Sequence, residues 1–402
     1  MRRALSTLSA SDVAAALPTM EDLGLRNGDH VTVAMSGGVD SATTLRILTE
    51  LPIDIDVIFM KNWDPLLSES STASTPSGYS LSYSSSSSLA SSPSSSGGSD
   101  SPCSWEKDWN DVRSVSRAIG IPTDKVKMVD LSKEYWNRVF EPSINVWERG
   151  GTPNPDVDCN REIKFGALLD VLPNRPRQFL ATGHYGRIDR PGHSTDRDLN
   201  QPQARLVRAK DSNKDQTYYL SQMNDVQLSR TILPLGRLTK TEVRQLATHW
   251  NLPNHSKEES MGVCFIGERG RFGDFIAQYT TPPEIQGRLV LPSGEVVGTH
   301  DGLWYYTIGQ RAKIANQPKP LFVAKKGVGE NGQDILVVPG SDHPLLSCSA
   351  VLTDAFHWIH GTYPADLLEN DTEGRINVQV RHRMKPVPAT IMLSPGTGSQ
   401  GG

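Results

Sequence analysis

The stretch Val31–Leu45, VTVAMSGGVDSATTL, limits what this chain can fold into more than any other. Val31–Met35 is a short apolar run rich in β-branched residues and ends at a glycine turn, so it reads as a buried strand. Ala42–Leu51 reads as a helix whose first residues point back at Ser36–Ser41. A strand, a glycine turn and a helix N-terminus in that order make an anion site. The glycines let backbone approach a ligand with no Cβ in the way. The unpaired N–H groups of the helix's first turn, and its dipole, then face a phosphate. Ser36 and Ser41 can add hydroxyl donors, and Asp40 can hold the turn or a metal.

The pattern is not GxxxxGK[ST]. No lysine follows the glycines, so no point charge reaches a γ-phosphate. SGGVDS resembles the PP-loop of ATP pyrophosphatases, which split ATP between its α and β phosphates. The bland alternative is an ordinary strand–turn–helix corner of an α/β sheet.

At 402 residues the chain has room for two or three domains. A net charge of −4 excludes a uniformly basic surface, so any nucleic-acid contact must come from a local patch. The four cysteines include no CxxC pair, which excludes a disulfide framework and a standard zinc ribbon. No apolar run is long enough to span a bilayer, and no membrane partner is expected.

Arg2, Arg3 and scattered serines, with no acid before Asp12, suit a short mitochondrial presequence over residues 1–28 as well as they suit a frayed terminus. Ile53–Met60 reads as a second strand. Of the 41 residues from Asp64 to Ser104, 20 are serine. That stretch has too little apolar surface to offset its ordering entropy and reads as a disordered insert. Trp105, Trp109, Val112, Val115 and Ile119 recur at helical spacing, and the two tryptophans read as core. A strand over Lys125–Val129 and a helix over Lys133–Arg149 follow. Gly150–Asp158, with two prolines and two glycines, reads as a rigid loop leading into a helix from about Asn160. Cys159 would then stand at a helix N-terminus, where the dipole favours thiolate. Gln178–Thr182 is a further strand that ends near Gly183.

Strands alternating with helices imply an α/β fold with a doubly wound parallel sheet. Its ligand crevice lies at the carboxyl ends of the strands, where Ser36, Met60 and Gly183 fall. Thr239–Glu242 fits a capping box opening a helix to about Trp250. From Pro282 onward, short β runs at Gly287–Leu291, Trp304–Ile308, Ile335–Val338 and Ile376–Val380 alternate with turn residues and read as small β domains.

Five further stretches sharpen the resemblance: FMKNW (Phe59–Trp63), TPNPDVDCNREIKF (Thr152–Phe165), ATGHY (Ala181–Tyr185), DSNKDQTYYL (Asp211–Leu220) and GVCFIGER (Gly262–Arg269). With SGGVDS they closely resemble the tRNA-specific 2-thiouridylases of bacteria and mitochondria, from about Asp29 to Pro388. The resemblance implies a PP-loop catalytic domain of the adenine nucleotide alpha hydrolase-like type over 29–275, with 64–104 as an insert. A central β domain over 282–342 and an incomplete β-barrel-like domain over 345–402 would follow, since the family continues through more barrel strands than this sequence has.

It further implies that Ala34, Met35, Ser36, Gly37, Gly38, Val39, Asp40 and Ser41, with Met60 and Gly183, bind ATP, together with Mg2+. Asn154, Pro155 and Asp156 would touch the target base. Cys159 would be a nucleophile, Cys264 would carry a persulfide, and Asp156 could serve as general base. Lys214, Asp215 and Gln216, with Arg381 and His382, would contact tRNA. The partners implied are tRNA and a sulfur-donor protein, either a cysteine desulfurase or a relay, and the location is mitochondrial.

No resident metal site is called. Cys159, Cys264 and Asp156 could instead ligate an iron–sulfur cluster, and the sequence leaves that variant open. Each cysteine alone could be buried and inert, as Cys103 and Cys348 are taken to be. Another PP-loop tRNA-modifying or amidotransferase-type ligase, and a non-catalytic tRNA-binding homologue, are the competing readings.

Overall fold

Val31 and Val33 are fully shielded from solvent in β1 (His30–Met35), the middle strand of a five-stranded parallel sheet ordered β3-β2-β1-β4-β7. The structure is a computed structural model and describes residues 17–63, 104–173, 175–190, 204–259, 272–354, 356–361 and 375–391. β1 pairs in register with β2 (Asp54–Lys61) on one side and β4 (Gln178–Ala181) on the other. β3 (Val126–Asp130) and β7 (Thr231–Ile232) form the edges. The chain winds from β1 outward through β2 to β3, then returns to the other side of β1 at β4. The strand order therefore reverses between β1 and β4, the position at whose carboxyl edge sheets of this kind place their ligand crevice. A short hairpin, β5 (Arg187–Asp189) with β6 (Arg205–Val207), lies outside this sheet.

The helix after the glycine turn, α1 (Val39–Leu48), has eight buried residues out of ten. That suits a helix covered on every side rather than an amphipathic surface helix. Ala42, Leu45 and Leu48 share a core cluster with Val33 of the sheet and with Val112 and Val115 of α2 (Ser104–Ile119). Its other flank places Ile47 among Val243 and Leu246 of α5 (Lys240–His249). Each fully buried Leu or Val contributes about 1.5–3 kcal/mol. Trp105 and Trp109 pack at the margin of the same cluster, in keeping with their reading as core.

Two helical segments depart from the expected form. The run expected over Lys133–Arg149 is α3 (132–148), which changes from α-helix to a π-turn at Trp136–Phe140 before resuming at Glu141–Glu148. Pro142 is the physical reason: it has no N–H to donate, and its ring excludes regular α-geometry in the preceding turn. α4 (155–170) starts at Pro155, not near Asn160, and contains a π segment at Cys159–Ala167. Pro155 at the first helical position and Asn154 as N-cap explain the earlier start, since a prolyl nitrogen loses nothing there.

The second unit is a four-stranded sheet, order β10-β11-β8-β9, made by β8 (Gly287–Val290), β9 (Val296–His300), β10 (Leu321–Val328) and β11 (Asp334–Pro339). The run Trp304–Ile308, expected as a strand, is instead the end of a 3-10 turn, Leu303–Tyr305, followed by loop. Leu303 and Trp304 are buried there side by side, which the alternating exposure of a half-buried strand does not allow. Near the C-terminus β12 (Arg375–Val378) pairs antiparallel with β13 (Val387–Thr390); among the described residues this pair does not close into a barrel. The serine-rich insert and Cys103 lie outside the described residues, as does Cys264.

Candidate active site

Gly37 takes φ +76°, a left-handed conformation that side chains disfavour, and a Cβ there would lie 2.8 Å from the Asp108 carbonyl oxygen. Gly38 is the N-cap of α1 and offers no side chain to cap it. Ser41 turns its hydroxyl inward: Oγ donates to the Gly38 carbonyl at 2.9 Å and accepts from the Ser36 N–H at 3.2 Å. It holds the turn, while Ser36 is exposed. Met35 and Val39 are buried, so the groups they can offer a phosphate are backbone ones. Ala34 and Met60 are half-buried against the cluster that contains Cys159.

The opposite lip of the crevice is the turn after β4. Gly183 packs so tightly on α1 that a Cβ would sit 2.9 Å from the Ser41 nitrogen and 3.0 Å from the Asp40 carbonyl carbon. His184 follows, its Nδ1 2.8 Å from the Thr182 hydroxyl; burial, reinforced by Lys164, holds its imidazole neutral well below the usual histidine range. Tyr185 donates its hydroxyl to Asp40 at 2.9 Å, and burial together with that carboxylate pushes the phenol far up, so it remains a donor.

The expectation that Asp40 holds either the turn or a metal resolves toward packing. Lys240, at the start of α5, puts its ammonium 2.7 and 2.8 Å from the two Asp40 oxygens. With Tyr185 also on Oδ1, three hydrogen bonds hold the carboxylate in place, a packing role that leaves it little freedom to turn toward a metal. Among the described residues no group of three His, Cys, Asp or Glu side chains converges as a metal site would require. Lys240 also reaches Glu259 at 3.0 Å, and Glu259 pairs with Lys214. Those two lysines draw the Glu259 carboxyl down to about 2, the Lys214 hydrogen bond being the larger cause.

A second clamp grips the turn from outside. Asn254 donates to the Gly37 carbonyl at 2.9 Å, and Lys257 spans Gly37 O, Asp108 and Asp111 at 3.3, 2.8 and 2.6 Å. Burial lowers the Lys257 ammonium, but the two aspartates outweigh it and raise the pKa. Lys164 and Tyr185 stand in motifs that the sequence singles out but with no role of their own, and Lys240, Asn254, Lys257 and Glu259 carry no sequence signal as site residues. The only trace of Lys240 was the capping box around it.

Asn154 caps α4, its Oδ1 accepting the Val157 N–H at 3.4 Å. Pro155 is buried and Asp156 half-buried. Burial raises the Asp156 carboxyl, against the opposing pull of Lys164 and His382. Cys159 is not at a helix N-terminus, as expected, but one turn inside α4, with its N–H bonded back to the Pro155 carbonyl. Its exposure is 3% and its neighbours are apolar core residues.

Of the residues assigned to tRNA, Lys214 pairs with Glu259 as described. Asp215 is buried, and its Oδ1 accepts from the Thr217 N–H and hydroxyl at 2.9 and 2.7 Å. Gln216 and Tyr185 lock together: Gln216 N–H donates to Tyr185 O at 2.8 Å, and Tyr185 N–H to Gln216 Oε1 at 2.9 Å. That lock joins the KDQ segment to the Gly183 turn. His382 packs on Tyr219 with its ring tilted by 38° and 4.6 Å between centroids, within electrostatic reach of Asp156. Arg381 lies against Gly309, where a Cβ would be 2.9 Å from its Nη1.

Residues 29–268 match the family described as "tRNA methyl transferase HUP domain", and residues 273–338 match "tRNA methyl transferase PRC-barrel domain". The protein of Geobacillus kaustophilus named tRNA-specific 2-thiouridylase MnmA 1 is 39% identical over 336 residues, covering 83% of this chain and 78% of that relative. A tRNA-specific 2-thiouridylase MnmA of Alkaliphilus oremlandii is 38% identical, covering 82% and 78%. One from Burkholderia pseudomallei is 36% identical over 378 residues, covering 92% and 84%.

Proposed function

Since the chain belongs to the tRNA-specific 2-thiouridylase family, we propose that it uses ATP to replace the 2-oxygen of the wobble uridine of tRNA with sulfur. One observation carries the reading. The glycine turn and the Gly183–Tyr185 turn pack together at the carboxyl edge of one sheet, and Phe165 of α4 lies 5.7 Å from His184 between ring centroids, with Lys164 acting on both His184 and Asp156. The helix that carries Asp156 and Cys159 thus packs on one lip of the phosphate turn.

In this reading Ser36–Ser41 cradle the phosphates of ATP through backbone N–H groups. The uracil 2-oxygen attacks the α-phosphorus, and pyrophosphate leaves. Asp156, made more basic by burial, accepts a proton near the base edge. The outer sulfur of a persulfide on Cys264 adds to the activated carbon, and AMP leaves. The Cys159 thiolate then attacks the Cys264 sulfur, and the S–S bond breaks with its electron pair going to the transferred sulfur. The result is a thiocarbonyl on the base and a Cys159–Cys264 disulfide, which an external thiol must reduce before the next turnover.

The sulfur reaches Cys264 from a donor protein. Mg2+ is expected to travel with the nucleotide, because Asp40 is engaged elsewhere. The lack of the CxxC motifs that mark the cytosolic thiolation family supports a mitochondrial location, and cell fractionation that finds the protein in the cytosol refutes it.

The test combines purified protein, ATP, a sulfur donor and tRNA with an unmodified wobble uridine, read by mass analysis of nucleosides. Wild type should form 2-thiouridine. Cys159→Ser should still gain one sulfur on the peptide containing residue 264 yet turn over poorly. Full thiolation by Cys159→Ser or Cys264→Ser refutes the two-cysteine mechanism.

A further inference from the structure

Lys326 is an unusual lysine. It lies on β10, and the register of β10 against β11 shifts on both sides of it, between Val323 and Lys325 and again between Lys326 and Val328. Paired bulges re-aim a side chain that a regular strand would send elsewhere. Its ammonium leaves the central sheet and reaches four oxygens. Two belong to the loop before α4: Gly151 O at 3.0 Å and Thr152 Oγ1 at 3.2 Å. Two belong to the central unit's own 3-10 turn: Leu303 O at 3.4 Å and Tyr306 O at 2.8 Å.

All four acceptors are neutral. Among the described residues no carboxylate offsets its burial, which brings the ammonium down to about 8. A charge kept half-buried without a counter-ion costs stability, so packing alone does not explain a lysine here. The same joint is tight elsewhere: Gly150 takes φ +77°, and a Cβ on it would fall 2.7 Å from Leu303 Cδ1. Two residues after Thr152 come Asn154, which caps α4, and then Asp156.

We propose that Lys326 is a positioning residue: from the central β unit its ammonium fixes Gly151 and Thr152, and through them the Asn154–Asp156 segment that meets the target base. This rests on the function proposed above. The second unit thereby acts on the chemistry by holding one loop of the first, without touching substrate. Removing the ammonium leaves the nucleotide turn intact, because that turn is clamped by Lys240, Asn254 and Lys257 instead.

The test compares wild type, Lys326→Met and Lys326→Arg for thiolation kinetics, ATP affinity and melting temperature. Wild type must thiolate tRNA for the comparison to proceed; if it does not, the functional reading fails and not this one. Lys326→Met should lose between about tenfold and a hundredfold in kcat, as loosely held catalytic groups do. Its dissociation constant for ATP should be unchanged and its melting temperature near that of wild type. Lys326→Arg, which keeps the charge and the donors, should recover most of the loss. A kcat for Lys326→Met within about twofold of wild type overturns the proposal. So does loss of ATP binding in step with loss of thiolation, or an arginine variant as impaired as the methionine one, since each marks a general structural role.

Discussion

Replacing Gly183 with alanine tests whether the turn after β4 and the first turn of α1 form one nucleotide site. The added Cβ would lie 2.9 Å from Ser41 N, 3.0 Å from Asp40 C and 3.2 Å from Asp40 Cβ. Two of these are backbone atoms of a buried helix, so the overlap cannot be relieved by swinging a flexible side chain. Either the Gly183 turn retreats or the N-terminus of α1 moves, and both change the spacing between the two lips of the crevice. Forced overpacking of this kind costs about 1–3 kcal/mol. If it falls wholly on the nucleotide complex, ATP affinity drops roughly 5- to 140-fold, at 1.4 kcal/mol per factor of ten.

The partner experiment is Gly38→Ala. Gly38 has an ordinary φ of −83°, and its Cβ would meet only the exposed Ser36 hydroxyl, at 3.4 Å. That variant should fold and melt like wild type yet bind ATP poorly, because the methyl group occupies the space a phosphate needs. Calorimetric titration with ATP, alongside thermal melting, reads both. If Gly183→Ala binds ATP within about twofold of wild type and melts normally, the two lips do not form one site and the reasoning fails.

Three further outcomes follow from the same geometry. Lys240→Met should leave Asp40, among the described residues, with Tyr185 as its remaining partner in a half-buried position, at a cost of about 1–3 kcal/mol, between the values for exposed and buried pairs; a melting temperature and ATP affinity both equal to wild type would refute it. Glu259, lowered from the ordinary 4.5 to about 2, contributes stability that is fully present above 4.5 and is lost as pH falls through about 2. Wild type should therefore lose more stability than Glu259→Gln between pH 5 and pH 2, and parallel pH–melting curves would contradict the assignment. Lys257→Met removes half of the outer clamp on Gly37 and strands Asp108 and Asp111 together, so ATP affinity should fall while the fold persists; unchanged affinity would show that Asn254 and the inner hydrogen bonds of Ser41 hold the turn without it.

Much of this protein is written locally. The β-branched run, the two glycines and the following helix pattern define β1, the phosphate turn and α1, because strand burial, left-handed φ and helical periodicity are properties of short windows. Alternation of such windows fixes a parallel α/β sheet, and the position of Gly183 after a strand brings it to the crevice edge. What the windows could not carry is charge pairing across the fold. Asp40 and Lys240 are 200 positions apart and meet only because α5 packs on α1. The local pattern shows no partner for Asp40, and tertiary structure supplies one from a distant helix. Cys159 was expected at a helix start because two prolines read as loop; Pro155 instead opens α4, and the cap at Asn154 places the cysteine one turn in. Trp304–Ile308 has the composition of a strand, but burying Leu303 and Trp304 together forces a turn. Lys326 is one of two adjacent lysines in a β run, and nothing local separates it from Lys325. Bulges set by pairing with β11 send it to the loop of another unit, because a strand's facing depends on its partner's register and not on its own residues.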